Sequence, residues 1–138
     1  MEQALHLSRM EAAEFTLDTP WATISITDPG SPLAKLHEDG GCQDVLRLEF
    51  WDLDRPALGY KDNLFTPEDA RQIIRFAKKW APKVDTIMTH CEAGISRSAA
   101  VAAFLSKVVL GEDGDYFTRA YPNRLVFRTL MKTWGNGR

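Results

Sequence analysis

The stretch from Val84 to Leu110 constrains this chain more than any other. Val84-Asp85-Thr86-Ile87-Met88-Thr89 has the apolar, β-branched make-up of a buried strand, and Ala99 to Leu110 is apolar nearly all round, as a buried helix is. Between them lies His90-Cys91-Glu92-Ala93-Gly94-Ile95-Ser96-Arg97-Ser98. A strand that delivers a short loop onto a helix N-terminus gathers free backbone N–H groups and the positive end of the helix dipole, which together make an anion site. Arg97 adds a planar cation able to hold two oxygens at once. Cys91 opens the loop, where the same positive field favours its thiolate form. A thiolate facing a bound phosphoryl group is a nucleophile facing its electrophile.

At these residues the chain resembles the cysteine-dependent protein tyrosine phosphatases, most closely the small dual-specificity type. That signature is His-Cys, five residues, Arg, then Ser or Thr, often written HCxAGxSRS, and every fixed position of the longer form is present here. The resemblance implies that Cys91 attacks phosphorus to form a phosphocysteine. Arg97 and the loop residues Glu92, Ala93, Gly94, Ile95 and Ser96 would hold the phosphoryl group. Ser98 would support the thiolate and help it leave, and His90 would order the loop. Gly94 is where the backbone can turn its N–H inward. The chemistry calls for no cofactor and no metal. The family also places an aspartate after the strand that precedes the crossover helix. Asp52 is first in line as general acid, with Asp54 and Asp62 as rivals. Tyr121-Pro122-Asn123 resembles the Pro-Asn segment that opens the final helix of dual-specificity phosphatases.

The implied substrate is a phosphorylated protein, by default phosphotyrosine, with phosphoserine, phosphothreonine or a non-protein phosphate as alternatives. Two other readings compete: a phospho-binding module that does not turn over, and a cysteine-loop sulfur transferase or arsenate reductase. A net charge of −2 supplies no general attraction for nucleic acid or an anionic membrane. MEQALHLSRM lacks the long apolar core of a secretion signal, and the longest apolar run is too short to span a bilayer. Two cysteines make no disulfide framework. A monomeric cytoplasmic enzyme, one domain over residues 1–138, is the simplest expectation. Cys42, beside Gly40-Gly41, could trap oxidised Cys91 as a disulfide or be inert. Arg124, Arg128 and Lys132, four residues apart, could rim the site or form a solvated face.

The rest of the chain reads as an α/β alternation. Ala4–Leu7 is a candidate strand, followed by a helix over Ser8–Phe15 announced by Ser8 and Glu11. Trp21–Thr27 alternates and ends at the turn signal Asp28-Pro29-Gly30. Leu33–Leu36 suggests a helical turn, and Val45–Phe50 is the next strand. Thr66-Pro67-Glu68-Asp69 opens a helix ending before Pro82. Gly114–Tyr121 suggests a short helix, and Asn123 caps a last one. Together these predict a single, largely parallel sheet of about four or five strands with helices on both faces.

Overall fold

A computed structural model describes residues 1–112 and 120–137. Its elements are β1 (Gln3–Leu7), α1 (Arg9–Ala13), β2 (Trp21–Thr27), β3 (Cys42–Glu49), α2 (Pro67–Trp80), β4 (Thr86–His90), α3 (Arg97–Val108) and α4 (Arg124–Asn136). The four strands pair in the order β1-β4-β2-β3, and every pairing is parallel. The strand carrying the Cys91 loop is therefore central, so its C-terminal end is held from both sides.

Register decides which face each strand residue takes. Ala4, Ile87, Ala22, Ile24, Ile26 and Leu48 share one face and pack with Ile73, Val101, Phe104 and Leu130 of the three long helices. Trp21, Thr23, Ser25, Met88 and His90 take the other face. There Trp21 meets the ring of Phe15 just beyond α1, edge on at 5.7 Å, and Arg47 reaches the carbonyl of Ala34. Short α1 and the irregular 28–41 segment thus cover the second face.

Local signals set the helix starts. Ser8 with Glu11, and Thr66 with Asp69, each form a reciprocal capping box. Asn123 caps α4 by accepting from Val126 N–H at 3.1 Å. The helical turn expected at Leu33–Leu36 does not form. Arg9 and Arg47 instead capture the carbonyls of Pro32 and Ala34, which a helical turn would use itself. Strand β3 starts at Cys42, three residues before the expected Val45, because Cys42 pairs with Trp21 across an irregularity in the register. The helix expected over Gly114–Tyr121 falls mostly on residues 113–119, outside those described. Among the described residues no helix is long and apolar enough to cross a membrane.

Candidate active site

The loop after β4 is built as a cradle, and its carbonyl groups show why. Arg9 N–H donates to Glu92 O at 3.1 Å, His6 Nδ1 to Gly94 O at 2.7 Å and Tyr121 N–H to Ile95 O at 2.9 Å. Ser96 O accepts from Asn123 N–H and from Ala100 N–H. With these carbonyls tied to the surrounding shell, the loop's amides are left for its interior. Among the described residues, the N–H groups of Glu92, Ala93, Ile95, Ser96 and Arg97 have no protein acceptor. Gly94 makes the turn possible at φ +78°, and a side chain there would collide with Leu7 C and Ser8 N.

Cys91 is buried at the base of this cradle. Its Sγ receives the N–H of Gly94 at 3.3 Å and of Ser98 at 3.5 Å, with Ser98 Oγ 3.1 Å away. Two backbone N–H groups and a hydroxyl thus converge on one sulfur. Arg97 is only 3% exposed, and its Nη1 donates to Asp28 Oδ1 at 2.8 Å and Phe50 O at 2.7 Å. Its Nε is buried without any acceptor among the described residues, so that side of the guanidinium is unspent.

Beneath the loop, His90 Nε2 lies 2.6 Å from Ser25 Oγ and Nδ1 lies 3.3 Å from Cys91 O. A carbonyl only accepts, so the proton belongs on Nδ1 and Ser25 donates to Nε2. Burial lowers the pKa of His90, which keeps it neutral. Glu92 points away from the cradle and pairs with Arg9 at 3.0 Å.

Asp52 reaches the cradle from the loop after β3. Its Oδ1 accepts from Ser96 Oγ at 2.7 Å and from Asn123 Nδ2 at 2.9 Å. A cavity of about 380 Å³ opens beside these groups, lined in part by Asp52, Asp54, Ser96, Tyr121 and Arg124. Cys91 is not in its wall, so the cavity lies next to the cradle on its Ser96 side.

No protein-family model and no curated protein sequence matches the chain. Solved structures do. PTPMT1 is 16% identical with a TM-score of 0.61, the match covering 97% of this chain and 90% of that one. Tk-PTP in its active form is 15% identical with a TM-score of 0.55, covering 99% and 91%. The human tyrosine phosphatase-like serine/threonine/tyrosine-interacting protein is 17% identical with a TM-score of 0.59, covering 86% and 78%. The chain has the protein tyrosine phosphatase fold. PTPMT1 has also been solved in complex with PI(5)P.

Within this phosphatase fold the structure brings Cys91, Arg97, Ser98 and Asp52 to one end of the sheet, with Asp54 on the cavity wall. Asp62 is exposed and outside that wall. Arg124 lines the cavity, while Arg128 turns its Nε back to the Arg124 carbonyl and does not line it. Cys42 cannot reach Cys91. Cys42 and Thr86 both stand level with Trp21, and Cys91 is five residues further along β4, about 16 Å at strand rise. A disulfide needs the two Cα atoms within about 7 Å. Burial also raises the Cys42 pKa, holding it as an unreactive thiol.

The functional contacts missed in the sequence are those of Asp28, His6 and Arg9. Asp28 reads locally as a turn residue, and nothing near His6 or Arg9 in sequence points to a loop more than eighty residues away. Among the described residues no three His, Cys, Asp or Glu side chains converge as a metal site would need.

Proposed function

We propose that this protein is a phosphomonoesterase of the protein tyrosine phosphatase type, acting through a phosphocysteine on phosphorylated protein, with phosphotyrosine as the first substrate. The buried Arg97 Nε without an acceptor carries the reading, beside a loop that opens at Cys91 and has five amides unspent among the described residues. A buried guanidinium donor left unpaired is costly, and a phosphoryl group in the cradle supplies the missing oxygens.

In the first step Cys91 Sγ attacks phosphorus, the S–P bond forms and the P–O bond to the leaving group breaks. Asp52 delivers its proton to that departing oxygen. Arg97 and the amides of residues 92–97 hold the charge on the equatorial oxygens, where most of the barrier lowering in phosphoryl transfer arises. In the second step Asp52 takes a proton from water as the water attacks phosphorus. Ser98 Oγ–H stabilises the Cys91 thiolate as it leaves. The net reaction is hydrolysis, and the enzyme returns unchanged.

The test is hydrolysis of an aryl phosphate by the wild type and by Cys91→Ser, in EDTA and under reducing conditions. Activity that survives EDTA, is blocked by vanadate and disappears in the variant is the expected result. A panel of phosphotyrosine, phosphoserine and phosphothreonine peptides with an inositol phospholipid, prompted by the PTPMT1 complex, then ranks substrates. A folded wild type that binds phosphopeptide without turning it over would replace the hydrolase with a binding module. Thiosulfate or arsenate turnover without phosphatase activity would point to sulfur-transfer or arsenate chemistry instead.

A further inference from the structure

Ser96 is the N-cap residue of α3, yet its side chain makes no capping bond. A serine there ordinarily accepts from an N–H of the first helical turn. Here the hydroxyl points the other way and donates to Asp52 Oδ1 at 2.7 Å. The first-turn N–H of Ser98, released from capping, approaches Cys91 Sγ instead. One rotamer choice thus leaves a helix amide for the sulfur and ties the aspartate to the loop.

Asn123 closes the arrangement. Its N–H donates to Ser96 O at 3.1 Å, its Nδ2 to Asp52 Oδ1 at 2.9 Å and to Leu53 O at 3.2 Å, and its Oδ1 caps α4. Ser96, Asn123 and Asp52 form a triangle joining the cradle, the start of α4 and the loop after β3. Both donors fall on the same oxygen. Among the described residues Asp52 Oδ2 has no partner, and Asp52 is exposed at the cavity.

We infer that Ser96 is a positioning residue: together with Asn123 it fixes Asp52 by Oδ1, so that Oδ2 is the oxygen that carries the proton, and the acid is docked against the cradle before substrate arrives. This rests on the phosphatase reading above. An aspartate held by one oxygen can no longer rotate its carboxylate, so the proton is presented in one direction, into the cavity beside Ser96. The leaving group therefore departs along the wall formed by Tyr121 and Arg124.

The experiment compares wild type, Ser96→Ala and Ser96→Thr on aryl phosphates spanning good to poor leaving groups, alongside amide hydrogen exchange of the 51–56 segment. Loss of a hydrogen bond to a charged group corresponds to about tenfold. Ser96→Ala should lose about tenfold in kcat on the poorest leaving group and less than about twofold on the best. Threonine should restore most of it, and exchange over 51–56 should quicken only in the alanine variant. An equal loss on every leaving group would mean a damaged cradle and would overturn the inference, as would no loss at all. If the wild type hydrolyses no aryl phosphate, the proposed function fails separately. Exchange then decides, with unchanged protection in Ser96→Ala removing the contact and quickened exchange upholding it.

Discussion

Arg97 Nη1 donates to Asp28 Oδ1 at 2.8 Å, across 69 residues, and the arginine is buried while the aspartate is 41% exposed. The pair helps to fix one end of the guanidinium and leaves Nε without an acceptor among the described residues. Asp28 closes β2, the strand beside β4, so the sheet itself sets the distance between the two side chains. A guanidinium anchored at one corner loses little further freedom when oxygens arrive, which is what preorganisation means in energetic terms.

Asp28→Ala removes the charged one of the two Nη1 acceptors, Phe50 O being the other, while leaving Cys91 and Asp52 untouched. It should lower kcat/KM about tenfold, the usual scale for one hydrogen bond to a charged group. The loss should be the same for good and poor leaving groups, because in the proposed mechanism Arg97 holds the transferred phosphoryl group rather than the departing oxygen. A loss that grew as the leaving group worsened would place Asp28 in proton delivery instead.

Asp52→Ala should behave in the opposite way. Its activity on a poor aryl leaving group should fall about a hundredfold, and far less on a good one that departs without a proton. Steady-state rates across a leaving-group series measure this directly. Should Asp54→Ala show that pattern and Asp52→Ala not, the proton donor would be Asp54, the other carboxylate on the cavity wall.

Those two aspartates show what a sequence displays and what it conceals. The helix starts were legible because capping is local: Ser8 and Glu11, or Thr66 and Asp69, announce themselves within four residues. The Cys91 loop was legible because strand, loop and helix are contiguous. Asp52 could be placed only through its position after a strand. Asp28 looked like turn chemistry because its partner lies 69 residues away. Asn123 was readable as a cap through its Oδ1, whereas the bonds made by its Nδ2 depend on a loop about seventy residues earlier. The expected turn at Leu33–Leu36 misled for the same reason, since arginines distant in sequence claim the carbonyls of Pro32 and Ala34.

Gly94→Ala should be among the most damaging single-methyl changes in the chain. The added carbon would meet Leu7 O at 2.7 Å as well as the Leu7 and Ser8 backbone atoms, none of which can swing aside. It must also adopt φ +78°. Overpacking and left-handed strain together should cost about 3 kcal/mol. Urea unfolding monitored by tryptophan fluorescence would read this, and vanadate affinity should fall with it. Wild-type stability in the variant would mean that β1 and the loop can separate freely.

His90 gives the fold a pH dependence of definite sign. Its pKa is lowered by burial, so below about 6.5, its ordinary value, the unfolded chain takes up a proton that the folded one refuses. The stability it contributes is complete above that pH and declines as the pH falls through the lowered folded value. Unfolding free energies measured from neutral to acidic pH should decrease accordingly. His90→Gln, which cannot titrate, should remove that part of the slope. An unchanged slope would assign the acid sensitivity to other groups.

The cradle's carbonyls are held by His6 of β1 and Arg9 of α1, far ahead of it in sequence, and by Tyr121 and Asn123 behind it. The His6 bond to Gly94 alone spans 88 residues. A nascent or partly folded chain therefore carries the whole nine-residue motif without owning a binding site, since contacts of such span are the last to become worth their loop-closure entropy. The proposed anion site is thus a test of assembly as much as of chemistry. Damage to β1, to α1 or to the start of α4 should register first as weakened binding of vanadate in the proposed site.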